Sequence, residues 1–247
     1  MNPKEKAANR EAFRQMSPSE KLDYIRTYYW GPILLGVIAF VILITSLHRH
    51  FTKKEQILFI ANTNVVLGDD MTKALHQEYL VSRGMDPKKK EILFYRNLYL
   101  ANDPSAQNHE MAYASKLKML AIINGKKVDF ALMNREAYDI LSASDYLLDL
   151  GELSGQDEAL FHDLEPYLTG NSVIIDDNAI EFNLSEADEY RAVTKEKLNG
   201  IDLSGFAFIR DAGFPGPVYM GIIANTPRLP ECCEYLKYIL SLDQRRA

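Results

Sequence analysis

The sequence predicts an α/β domain, with a mixed, mostly parallel sheet flanked by helices, carried behind one N-terminal transmembrane helix. Three observations predict it. Twenty-one consecutive residues, Thr27 to Leu47, carry no charge. From residue 56 onward, short apolar runs alternate with stretches of helical periodicity. Helix-stop signals, Gly84 and Asn124-Gly125, fall at the ends of the first two such stretches, ahead of new apolar runs.

As a helix the charge-free stretch spans about 31 Å, the thickness of a hydrocarbon core. GPILLGVIAFVILITSL holds eleven Leu, Ile, Val or Phe residues. They contribute roughly −3 to −7 kcal/mol of insertion free energy, with no charged side chain to offset them. The preceding residues are mixed in charge rather than a short basic leader, and the exit TSLHRHF has no small-x-small cleavage site. The helix is therefore expected to remain as a single-pass signal-anchor in the plasma membrane. Six Lys or Arg precede it, while Arg49, Lys53 and Lys54 follow closely. This bias favours a cytoplasmic N-terminus and an extracellular C-terminal domain, with Tyr28, Tyr29 and Trp30 at the inner interface. The expected organisation is a cytoplasmic juxtamembrane segment (1–27), the transmembrane helix (28–48), a linker (49–55) and an extracytoplasmic α/β domain (56–247). Ser17-Pro18-Ser19-Glu20 reads as a capping box. It opens a short helix with Leu22, Ile25 and Tyr29 on one face, either an interfacial helix or a lead-in to the span. Gly31-Pro32 is expected to kink or separate the two helices.

In the domain, QILFIAN (56–62), KKKEILFYRNLYL (88–100) and VDFALMN (128–134) read as strands. Helices are expected over 70–83, 109–125 and 136–142. Turns and short helical pieces fill 146–155 and 159–168. A hairpin is expected over 172–184, turning at Asp177-Asn178, then a polar helix over 185–198. GFAFIR (205–210) and PVYMGIIAN (217–225) read as strands around the loop 211–216, before a last helix over 230–242.

Of the 28 basic and 34 acidic residues, 21 and 30 lie beyond residue 50, a net charge of −9 there. An acidic domain has no electrostatic footprint for nucleic acid, which is excluded as a partner. The two cysteines, Cys232 and Cys233, are adjacent within a helical pattern, where a mutual disulfide would be strained. They read as small helix residues with one packed inward. The five histidines form no HExxH, and neither a GxSxG elbow nor a phosphate- or dinucleotide-binding glycine loop occurs. Asp176-Asp177-Asn178 with Glu181 suits a hairpin turn better than a calcium loop, because alternating ligands and a central glycine are missing. No cofactor, metal or catalytic set is expected.

VDFALMNREAYDIL followed by YLLDLGEL, PVYMGIIAN followed by PECCEYLKYIL, and the opening strand QILFIAN resemble segments of extracellular solute-binding proteins of the type 2 periplasmic-binding fold. The resemblance covers most of 56–150 and 205–240. That family has two lobes, and the length of the domain here leaves room for one full lobe and only a reduced second one. The resemblance implies no enzymatic activity, and as partners the lipid bilayer with a small solute or a membrane protein such as a transporter. In open α/β sheets ligands sit beyond the carboxyl ends of the strands. That rim would include Asn62, Thr63, Asn64, Asn134 and Arg135, residue types that also serve as caps and turns. The competing expectation is a cell-envelope scaffold or interaction protein without a small ligand.

Overall fold

A computed structural model of the chain describes residues 13–14, 16–102, 108–179 and 189–246. They divide into two compact units, residues 1–53 and 54–247.

In the first unit, α1 (Pro18–Tyr28) begins with the expected capping box. Glu20 N–H donates to Ser17 Oγ at 3.4 Å, and Ser17 N–H donates to Glu20 Oε2 at 2.8 Å. The second helix, α2 (Trp30–Thr52), has 23 residues. Trp30–Leu47 is long and apolar enough to cross a membrane, and side chains such as Leu35, Phe40 and Ile42 lie exposed. The break between the helices falls at Tyr29, two residues before the Gly31-Pro32 pair that suggested it. Pro32 lies in the first turn of α2, where a helix has no N–H partner to lose, so it neither kinks nor interrupts it.

The second unit is a six-stranded open sheet between two layers of helix. Its strands are β1 (Glu55–Thr63), β2 (Lys90–Leu98), β3 (Phe130–Met133), β4 (Leu168–Asp177), β5 (Ala192–Asp202) and β6 (Tyr219–Ile222), in the order β2-β1-β3-β6-β5-β4. β1 pairs in parallel with β2 and β3, and the other three pairings are antiparallel. The sheet is mixed as expected but is not mostly parallel. β4 pairs antiparallel with β5, the next strand in the chain, and β6 returns beside β3 in the opposite sense.

Side chains alternate across the central strands, as the pleat requires. Leu58, Ile60, Phe130, Leu132, Met220 and Ile222 face one core. Covering this face are α3 (Asp69–Lys73, a π-helical turn Ala74–Glu78, and Tyr79–Ser82), α6 (Glu158–Leu164), α7 (Ala207–Ala212) and α8 (Leu229–Arg246). Ala61, Ala131, Met133 and Tyr219 face the other core, under α4 (His109–Asn124) and α5 (Arg135–Ala143). Tyr235 and Tyr238 of α8 donate to the Leu75 and Ala74 carbonyls at 3.0 and 2.8 Å. Both carbonyls lie in the π-helical turn, where the i→i−4 ladder is interrupted and side-chain donors can replace it. Tyr79 packs edge-on against both rings, at 4.9 and 5.2 Å.

Three secondary-structure assignments from sequence change, and one burial. The strand at 172–177 starts earlier, and its partner is β5; residues 180–188, which would have completed the expected hairpin, lie outside the described residues. The expected polar helix over 185–198 is strand from Ala192 onward. Its Lys and Glu side chains favour helix locally, but pairing with β4 overrides that preference. GFAFIR is not a strand: Ala207–Ala212 forms α7, closed by Gly213 at φ +66°. A short apolar run with a single charge at its end, Arg210, carries no period with which to tell the two apart. Both Cys232 and Cys233 are buried, where a single inward cysteine was expected.

Three helices end in one motif, a left-handed residue flanked by 6→1 and 5→2 hydrogen bonds. Gly84 serves after α3, where Met85 N–H bonds the Leu80 carbonyl. After α4 the left-handed residue is Lys126 (φ +52°), not Gly125, with Lys127 N–H on the Ile122 carbonyl at 2.8 Å. After α5 it is Asp145 (φ +55°). A Cβ in this conformation costs about 1 kcal/mol. Lys126→Gly is therefore expected to raise stability by about 1 kcal/mol, and Gly84→Ala to lower it by a similar amount. Thermal unfolding of the full chain in detergent, followed by circular dichroism, measures both.

Candidate functional site

The carboxyl ends of β1 and β3 meet at a polar joint. Asn64, just past β1, adopts the left-handed conformation (φ +59°), which asparagine tolerates better than most residues. Its Nδ2 donates to the Leu100 carbonyl at 2.7 Å, and its Oδ1 accepts from Leu100 N–H at 2.8 Å. The side chain thus pairs with the backbone after β2 as another strand residue would. Nδ2 also lies 3.2 Å from Asn134 Oδ1. Asn134 is the N-cap of α5, accepting from Ala137 N–H at 3.0 Å. Two strand ends and a helix start are tied through two asparagines.

Arg135 follows the cap. Its Nε lies 3.0 Å from Asp139, and its guanidinium sits 5.7 Å from the ring centres of both Tyr138 and Tyr219. A hydrogen bond to Tyr219 and the nearby Asp139 carboxylate raise its pKa further, so it is a fixed cation. Asn64, Val65, Asn134 and Arg135 form one wall of a recess of about 270 Å³, and the loop Phe214–Val218 forms the other. Among the described residues, Arg135 is the only charged side chain in that lining. The first amides of α5 also open toward the helix N-terminus, where a helix favours negative charge.

The five rim residues expected from sequence thus divide. Asn64, Asn134 and Arg135 come together at the recess. Asn62 and Thr63 are buried in β1 and are absent from its lining. Strand alternation directs them to opposite faces of the sheet. Asn62 Oδ1 and Thr63 Oγ1 have no hydrogen-bond partner among the described residues. Sequence reasoning missed the opposite wall, Phe214–Val218, which it read as the end of the loop 211–216 and the start of a strand. The alternation Pro215-Gly216-Pro217 was the available signal, since two prolines stiffen a loop enough to hold a wall.

A second recess, of about 410 Å³, lies at the amino ends of β1 and β2. Its charged lining is largely paired within the domain: Arg83 with Glu234 at 2.6 Å, Lys90 with Glu55 at 3.5 Å, and Arg228 with Asp129 at 2.9 Å. Burial lowers the pKa of His76 and keeps its ring neutral. Burial also pushes both cysteine thiols up, away from the nucleophilic thiolate. Among the described residues, no three His, Cys, Asp or Glu side chains gather as a metal site would require.

Comparison with known proteins adds no relative: no family model, no curated protein and no solved structure matches the chain.

The Asn64 joint makes an ordered prediction. Asn64→Gly keeps the left-handed backbone and loses the side-chain bridge, whereas Asn64→Ala loses the bridge and adds backbone strain. The alanine variant is expected to be the less stable of the two by about 1 kcal/mol in thermal unfolding.

Proposed function

We propose that this protein is a membrane-anchored, extracytoplasmic binding domain that works without catalysis, in the manner of one lobe of a solute-binding protein. Its ligand is a small solute with an apolar body and an anionic group. The observation that carries this reading is the described lining of the recess beyond β1 and β3: apolar Val65, Phe214, Pro215, Pro217 and Val218, two asparagines, and the cation Arg135, steadied by Asp139 from outside that lining. Mostly apolar walls with a few convergent polar groups are the usual make-up of a small-molecule site. Its place beyond the carboxyl ends of parallel strands is where open α/β sheets hold ligands. Anchoring rests on the length and apolarity of Trp30–Leu47, and the outward orientation on the basic residues before it.

A second reading, an envelope interaction protein without a small ligand, draws on one observation. The polar atoms of Asn64 and Asn134 are already engaged with each other, Leu100 and Ala137. The two readings differ in what a ligand screen finds. With the full chain in detergent, amino acids, short peptides and small carboxylates are screened by thermal shift. At a hundredfold excess over Kd, a recess ligand is expected to raise Tm by about 5–10 °C, and Arg135→Ala to abolish the shift. Silence across all three classes would remove the solute reading in favour of the second.

A further inference from the structure

The outer face of α4 carries an apolar seam that the described residues of the domain leave exposed. Ser115, Met119, Ile122 and Ile123 fill the inner face of this 16-residue helix. On the opposite side Tyr113, Leu117 and Leu120 are 60, 50 and 39 % exposed. With Asn124 they follow a four-three-four spacing, the seam of a helix that packs along a second helix. Exposed Ala114 and Ala121, seven residues apart, lie beside the seam and leave room for a close approach. A helix apolar on both faces is normally buried on both.

The charges at the two ends of α4 select the occupant. Glu110 stands in the first turn, and Lys126 and Lys127 follow the last. We propose that this face pairs with the same face of a second copy of the chain, in antiparallel orientation. Leu117 then meets the second copy's Leu120, Tyr113 meets Asn124, and Glu110 meets Lys127, each contact occurring twice about the twofold axis. Antiparallel pairing also sets each helix N-terminus beside the other's C-terminus, the favourable alignment of their dipoles. A parallel pair would instead stack Glu110 on Glu110 and lysine on lysine.

Size explains why such a contact would need help. A single seam about 24 Å long falls well short of the roughly 1,200 Å² that a stable soluble interface buries. Confinement of both copies to one bilayer raises their effective concentration and makes a small seam sufficient. In this respect the inference rests on the anchored reading above.

The test uses the full chain reconstituted into phosphatidylcholine vesicles, with donor and acceptor dyes on C-terminal tags. Flotation with the vesicles reports anchoring, and energy transfer reports pairing. Wild type is expected to float and to transfer. Leu117→Glu, at an exposed position, should keep its circular-dichroism melting profile and lose about tenfold or more in association. Glu110→Lys should weaken pairing several-fold. Adding Lys126→Glu and Lys127→Glu to Glu110→Lys should restore it, because the complementary charges are then exchanged. Floating vesicles without energy transfer would overturn the pairing and leave anchoring intact. Transfer unchanged by Leu117→Glu would place the contact elsewhere, and failure of the charge exchange to rescue would overturn the antiparallel pairing. A chain that does not float would overturn the anchored reading, and this inference with it.

Discussion

The carboxylate of Asp129 is the buried charge on which the alignment of the central strands depends. It lies one residue before β3 and is fully enclosed. Arg228 Nε reaches both of its oxygens, at 3.0 and 2.9 Å, Phe59 N–H of β1 donates at 2.8 Å, and the Thr226 hydroxyl donates as well. The backbone of the same residue continues the work: Asp129 N–H bonds the Phe59 carbonyl, and Ile223 N–H bonds the Asp129 carbonyl. One residue therefore fixes β1, β3 and the end of β6 against one another. Arg228, held also by the Lys126 carbonyl and lying 4.5 Å over the Phe59 ring, closes the turn that leads into α8. Charges of this kind give little net stability when paired, but removing one partner leaves the other stranded in a dry site. Their contribution is to select one arrangement of strands.

What that arrangement positions lies at the far ends of the same strands. With β1 and β3 held in register, Asn64 falls opposite Leu100 and Asn134, and the cap of α5 is set beside Arg135. A buried network supports α5 from beneath. The Tyr138 hydroxyl donates to Asn199 Oδ1 at 2.8 Å, Asn199 Nδ2 donates to Ser142 Oγ at 2.7 Å, and Ser142 reaches the Ser172 carbonyl at 3.2 Å. Gly200 is required there, since a Cβ would stand 2.6 Å from the Tyr138 hydroxyl oxygen. The α5 end of the recess is thus built on satisfied hydrogen bonds and is preformed.

The first half of the domain was legible because each element announces itself. β1, β2 and β3 are apolar runs, α3 and α4 carry helical spacing, and Gly84 and Asn124-Gly125 mark their ends to within two residues. In the second half β6 and α8 were legible too, but α7 and the β4–β5 ribbon were not, for physical reasons. α7 is too short to show a period, and the antiparallel ribbon of β4 and β5 is polar, so no buried face fixes its pattern. The same applies to the site. Asn64, Asn134 and Arg135 could be found from strand ends alone, but Phe214–Val218 comes from some 80 residues further along the chain and no local signal ties it to them. Asp129 had a signal that was read only as part of a resemblance: a single acid inside VDFALM must find a partner or stay out of the core. Its partner, Arg228, lies 99 residues away, beyond the reach of any spacing argument.

All of the functional reading presumes that α2 stays in the bilayer and delivers the domain to the outer surface. Its apolar length allows this, and the distribution of lysine and arginine favours the orientation. The most direct measurement is protease treatment of intact cells expressing the chain with a tag at each end. The expected result is loss of the C-terminal tag and domain while a short membrane-embedded N-terminal piece survives. A domain that resists digestion until the cells are lysed, or a mature chain lacking its first fifty residues, would contradict it.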